Sequence, residues 1–394
     1  MSTDAKAHGL DGSLVEPDWP PLTMDEVSSL LQDFPGRGEP IEILSVSPRP
    51  FSAASVVATR SGRLFIKRHH QTVRNREGLL EEHRFMAHLL RRGLSVPGVM
   101  ATGSEETVIE RGQWTYEVHD IPLGIDLYKD AISWTPFVSL NHAHSAGGAL
   151  ARLHLASQGF SSPPRTPRPL VASFSIFAAT NPHVAFESYI AARPALAENA
   201  DTRRNFAHAL ELLAPFHAEL LPLLPALNPL WTHNDLHASN LFWSDRSDDA
   251  RAVAVIDFGL ADRTNAVHDL AHAIERSIVE WLALVRAPKH PESVPVHLDH
   301  LLALLQGYEA VRLLSAEEAA ALAPMTALCH AEFALTEADY FLGVLHSGKK
   351  GRVASDDYLV GHARWFRGAG SKLLDALHRW ADARELKPHG ALHE

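Results

Sequence analysis

Between long stretches of helical periodicity, "THNDLHASNLFW" (Thr232 to Trp243) and "AVAVIDFGLAD" (Ala252 to Asp262) form a short β-rich island crowded with polar groups. The runs "NLFWS" and "AVAVIDF" flank a polar turn, "DRSDDAR", a pattern that predicts a β-hairpin. Such a hairpin brings Asn240 and Asp257 together and leaves Asp235 at its mouth. Carboxylate and amide oxygens clustered in this way can hold Mg²⁺, which requires hard oxygen ligands, while the remaining carboxylate orients a hydroxyl nucleophile.

The rest of the chain divides around this island. Residues 1–38 are rich in Pro, Gly and acids and suggest an N-terminal arm with a short helix at Thr23 to Asp33. "IEILSVS", "ASVVATR" and "RLFIKRHH" are β-rich runs that predict consecutive antiparallel strands. "NREGLLEEHRFMAHLLRRGL" has Leu79, Phe85, Met86, Leu89 and Leu90 near helical spacing, with Gly93 as a stop. "VPGVMATG", "ETVIERG" and "WTYEVHDIP" predict further strands. Beyond Pro122, amphipathic helices are expected at 139–157, 205–224, 267–285, 296–311 and 316–345, with more from "HARWFRGAGSKLLDALHRWADAREL". The expected architecture is α+β and bilobal. An arm at 1–38 precedes a β-rich N-lobe at 39–120, an antiparallel sheet plus one helix, and a larger helical C-lobe at 121–394.

Composition excludes several function classes. A formal charge of -11 argues against a broad nucleic-acid-binding face, which would need clustered Lys and Arg. The single cysteine, Cys329, excludes an internal disulfide and reads as a small buried residue. The N-terminus has no basic head followed by an apolar core, and no apolar run is long enough to span a bilayer, so a cytoplasmic location without membrane attachment is expected.

The spacing His-x-Asp, then Asn five residues on, then Asp-Phe-Gly resembles the catalytic and metal loops of the protein-kinase-like fold. It resembles most the aminoglycoside phosphotransferase and choline kinase family and, more weakly, type II homoserine kinases. The resemblance runs from about Glu42 to Asp269 and implies ATP or GTP with Mg²⁺, a small-molecule acceptor, and roles for particular residues. It makes Asp235 the catalytic carboxylate with His233 bracing it, and Asn240 and Asp257 the metal ligands. It assigns phosphate binding to Lys67 paired with Glu82, and adenine contacts to backbone groups between Glu117 and His119. Asn234 stands where the small-molecule kinases usually have glycine; asparagine tolerates unusual backbone angles. The phosphate-covering loop, "SVSPRPFSAASVV", contains no glycine, and Ser52 and Ser55 are its candidate phosphate contacts. Asp269 is expected to cap a helix or brace a loop.

Each of these residues alone has a plain structural reading as a turn residue, a solvated strand lysine or a surface helix acid. Only their order and spacing together make a site. The 25 histidines do not suggest zinc, because pairs such as His69-His70 and His142-His144 lack ligand spacing. In the apolar helix near 330–340, Glu332 and Asp339 share a face and are the candidate acceptor contacts. Two alternatives remain: a nucleotide-binding pseudokinase and a bacterial stress-type protein Ser/Thr kinase. The sequence does not indicate the oligomeric state.

Overall fold

The computed structural model describes residues 7–8, 14–131 and 134–385. Residues 1–6, 9–13, 132–133 and 386–394 lie outside them, and with them most of the N-terminal stretch read for a leader. The predicted α+β, two-lobed architecture is present. Five antiparallel strands are arranged in the order Pro40–Val46, Ala53–Thr59, Gly62–His70, Trp114–His119, Ile109–Arg111. "VPGVMATG" is not a strand and contributes only a bridge from Val99 to His119.

Strand alternation gives this sheet two unlike faces. Leu64, Ile66, Tyr116 and Val118 point into a small core completed by Val27, Leu30, Leu31 and Phe34. The helix Met24–Leu31, closed by a Thr23–Glu26 capping box, therefore contributes Val27, Leu30 and Leu31 to the N-lobe core. Polar contacts reinforce it: Arg68 bonds Glu26 at 2.8 Å, and Tyr116 donates to the same carboxylate at 2.6 Å. On the opposite face, Lys67 lies across from Glu117 and Phe65 across from His119. That face carries the polar groups. The helix Arg76–Arg91 covers part of it, yet its Phe85, Met86 and Leu89 join the large C-lobe core.

The C-lobe is built on helices Leu140–Ser157 and Leu298–Glu309, which pack backbone to backbone. A Cβ at Gly147 would lie 2.0 Å from the Leu304 carbonyl oxygen, and one at Gly307 1.8 Å from that of His144, so only glycine permits this approach. The predicted helix at 267–285 is interrupted at Val279 and Glu280, giving Ala266–Ile278 and Trp281–Arg286. Helix Pro182–Ala191 falls where no periodicity was legible; its signal is the Asn181 cap followed by Pro182. Among the described residues, no helix is long and apolar enough to cross a membrane.

The predicted hairpin is formed by Leu241–Trp243 and Ala252–Val255. A second short pair, Pro229–Thr232 with Asp262–Asn265, was not anticipated. It joins the start of the first motif to the end of the second, so the two loops are fixed at both ends.

Candidate active site

Pairing in the hairpin puts the Ile256 N–H on the Asn240 carbonyl at 3.0 Å, which sets Asp257 beside Asn240. Asp257 takes φ +61° and Asn234 φ +59°, left-handed values that residues other than glycine rarely adopt. Asn234 does more than tolerate its angle. Its buried side-chain oxygen accepts bonds from Thr232 Oγ1 at 2.9 Å and Thr264 Oγ1 at 3.0 Å, linking the strands on either side.

The Asp235 loop is held from beneath. Asp269 accepts the backbone N–H of His233 at 2.8 Å and that of Asn234 at 2.7 Å, and lies 3.0 Å from His154 Nε2. Asp269 is thus a loop brace, while Asn265 caps its helix. His233 is fully buried, donates from Nε2 to the Ile256 carbonyl at 2.9 Å and accepts the Asp235 N–H at Nδ1. It joins the two motif loops and does not line the cleft between the lobes.

That cleft has an interior of about 360 Å³ and is lined by Lys67, Asp235, Asn240 and Asp257 together with Ser52 and His237. Asn240 donates from Nδ2 to the Asp235 carboxylate at 3.1 Å and to its carbonyl at 2.8 Å, committing its amide nitrogen. Its amide oxygen, with the Asp257 carboxylate, gives a hard-oxygen donor pair that suits magnesium. Lys67 Nζ lies 3.0 Å from Asp257 Oδ1. Burial alone would raise the Asp257 carboxyl; the Lys67 ammonium overcomes it and holds that carboxyl well below the usual range. Burial likewise works against the charge on Lys67, but Asp257, Glu117 and Glu82 keep it firmly protonated. The His237 imidazole is pushed down to about 3, first by burial and then by Arg49, so at neutral pH it is uncharged.

Several expected residues stand elsewhere. Lys67 pairs with Asp257, not with Glu82, whose nearest cation is Arg165 at 3.7 Å. Arg165 also donates to the Gly259 and Ala261 carbonyls, both at 3.1 Å, so here an arginine ties the Glu82 helix to the Asp-Phe-Gly loop. Ser55 is buried in its strand, outside the cleft lining, because alternation turns it away. Glu117 to His119 lie inside a strand, not in a connection: the strand continues to His119, pairs with Phe65 to Lys67, and bridges Val99. The Glu117 and His119 side chains point into a buried cluster instead. Glu332 accepts the Ser175 and Ile176 N–H groups, both at 2.6 Å, and clamps that loop; Asp339 faces Arg193 at 3.8 Å. Neither lines the cleft.

Two cleft residues were missed. Arg276 is buried, abuts the Asp235 carboxylate and stacks 4.3 Å from the Phe333 ring. Its signal was available: it lies seven residues, about two helical turns, beyond Asp269. Glu337 also lines the cleft, with a buried Oε2 that has no hydrogen-bond partner. The arm reaches the site too: Trp19 donates to the Phe51 carbonyl at 3.1 Å and steadies the glycine-free loop. Phe51 in turn meets Tyr340 edge-on at 5.1 Å.

A five-stranded sheet over a helical lobe, with carboxylate loops facing a strand lysine across a cleft, defines a phosphotransferase of the kinase-like class. The chain belongs to the phosphotransferase enzyme family, whose profile matches residues 51–314. Among curated proteins none matches it. Of solved structures, a microcompartment-associated aminopropanol kinase superposes with a TM-score of 0.56 at 15% identity, covering 90% of this chain and 98% of that one. An amicoumacin kinase solved with AMP-PNP and Ca²⁺ gives 0.51 at 15% identity, covering 88% and 93%. An aminoglycoside phosphotransferase from Alicyclobacillus acidocaldarius gives 0.50 at 16% identity, covering 93% and 98%.

Proposed function

We propose that this phosphotransferase moves the γ-phosphate of ATP or GTP to a hydroxyl of a small polar molecule bound in the interlobe cleft. The observation that carries the reading is the convergence of Lys67, Asp235, Asn240 and Asp257 on that one cavity. Residues 39–120 act as the nucleotide lobe, helped by the packed arm, and 121–394 supply the catalytic loops and the acceptor side.

Asn240 and Asp257 would hold magnesium, which when bound neutralises charge on the nucleotide phosphates. Lys67 leaves Asp257 for a phosphate oxygen as nucleotide enters, exchanging one anionic partner for another. Asp235 steers the acceptor hydroxyl and takes its proton as the oxygen is phosphorylated. Arg276 and Asn240 hold the Asp235 carboxylate in position, so the gain comes from orientation and charge placement. On the acceptor side, Phe333, Phe341 and Trp134 offer rings and Glu337 a carboxyl group. This mixture suits a compact molecule with both apolar and amine or hydroxyl character. The similarity to an aminopropanol kinase and an amicoumacin kinase supports the same range.

The test is a coupled assay with ATP or GTP and Mg²⁺ over amino alcohols, aminoglycosides, sugars and nucleosides. Acceptor-dependent release of nucleoside diphosphate is expected for at least one class and is expected to vanish in Asp235→Ala. A chain that binds no magnesium nucleotide overturns the reading.

A further inference from the structure

Apart from the cleft, a second group of chemically capable side chains meets on the polar face of the sheet. Glu117, 1% exposed, stands at its centre. His83 Nε2 and His119 Nε2 lie 2.8 and 2.9 Å from Glu117 Oε2, and His69 Nε2 lies 2.9 Å from Oε1. The ligating atoms of His83, Glu117 and His119 all fall within 4.8 Å of one another. These residues come from three places: the Gly62–His70 strand, the Arg76–Arg91 helix and the Trp114–His119 strand. None takes part in the phosphoryl-transfer scheme above.

We propose that His83, Glu117 and His119 form a binding site for a divalent metal of the zinc class, with His69 on its cleft side. Bonds of about 2.0–2.2 Å from zinc to imidazole nitrogen or carboxylate oxygen place tetrahedral ligand atoms roughly 3.3 Å apart. The two imidazole-to-carboxylate separations need only a small outward movement to reach that spacing. Two or three imidazoles with one carboxylate select zinc, cobalt or nickel over magnesium and calcium, which prefer all-oxygen shells. His83 Nδ1 lies 2.9 Å from Thr107 Oγ1, so its ring is oriented from behind with Nε2 toward the site, as ligating histidines usually are. An entry path exists, since His69 also lines the cleft. A metal here staples the Arg76–Arg91 helix to the strand beside Lys67, fixing the lysine's height over the cleft without touching nucleotide.

The test uses the full chain, stripped with a chelator and titrated with Co²⁺ under visible absorption, beside His83→Gln and His119→Gln. About one Co²⁺ per chain is expected, with tetrahedral ligand-field bands that zinc abolishes, and affinity lower by about a hundredfold or more in either variant. A wild-type chain that gives no such bands, or variants that bind cobalt as tightly as wild type, overturns the proposal. If the variants do not fold, zinc-soaked crystals of the wild type decide. An anomalous peak within bonding distance of His83, Glu117 and His119 supports the site, and the lack of a peak there removes it.

Discussion

Two carboxylate centres occupy one face of one sheet and its surroundings, and they are built in opposite ways. In the cleft, Asp257 and Asp235 meet full cations, Lys67 and Arg276, beside an open cavity. Around Glu117 the partners are three imidazoles, and the group is buried between helix and sheet with His69 on its cleft side. A cation beside open space can exchange its carboxylate for an incoming phosphate with little loss. A buried carboxylate already held by imidazoles meets no incoming phosphate, and it holds a shape. Enclosure, more than residue type, separates the reactive centre from the stapling one.

Four measurements can break or sharpen that contrast. The largest effect is expected at the open centre, where Asp235→Ala lowers turnover by about 10²–10⁴-fold while nucleotide affinity stays near wild type. Equal loss of turnover and nucleotide binding would erase the role given to Asp235. At the closed centre the order reverses. Glu117→Ala leaves three buried imidazoles without their acceptor and costs about 3–5 kcal/mol in urea denaturation, each orphaned group contributing about 1–3 kcal/mol.

The third concerns Glu275 and Glu337, buried carboxyls, the second of them lining the cleft, that share surroundings with Arg276, Tyr358, Cys329 and His362. Burial pushes both up to about 8 from the ordinary 4.5, aided for Glu275 by Glu337 and opposed for Glu337 by Arg276. The folded chain therefore keeps protons on these two groups that the unfolded chain has released, and their contribution to stability falls as pH rises from about 5 to 8. The slope is on the order of 1 kcal/mol per pH unit per group, and Glu337→Gln should flatten it between pH 6 and 8. A denaturation midpoint constant over that range would exclude the effect. The smallest change is expected for Asn234→Gly, which relieves a left-handed residue but removes the acceptor shared by Thr232 and Thr264. A net loss of about 1 kcal/mol with activity retained is expected; a gain in stability would mean that the angle dominates the side chain.

The parts legible in the chain were those fixed by short-range pattern. Period-two runs marked the strands on either side of Lys67, and the hairpin between Asn240 and Asp257 followed from two β runs and a polar turn. The acids were harder to assign. Glu332 and Asp339 do share a helical face, yet that face meets the 173–176 loop and Arg193, while Glu337 looks into the cleft. Helical periodicity says which residues point the same way, not what lies in that direction. Lys67 was expected to pair with Glu82, but Arg165, far along the chain, draws Glu82 aside and leaves Lys67 to Asp257. Similarly, the arm's helix has the pattern of any short amphipathic helix, and only packing reveals that the N-lobe core needs it.

The sequence alone determined the two-lobed α+β class and the motif loops, because hydrophobic period and turn chemistry act over a few neighbouring residues. It could not show that His69, His83 and His119 would gather on Glu117, since no two of them sit at a ligand spacing. Their meeting depends on strand register and on where one helix settles. Those are set by burial of the whole sheet, a balance over many distant contacts, and so belong to the tertiary structure.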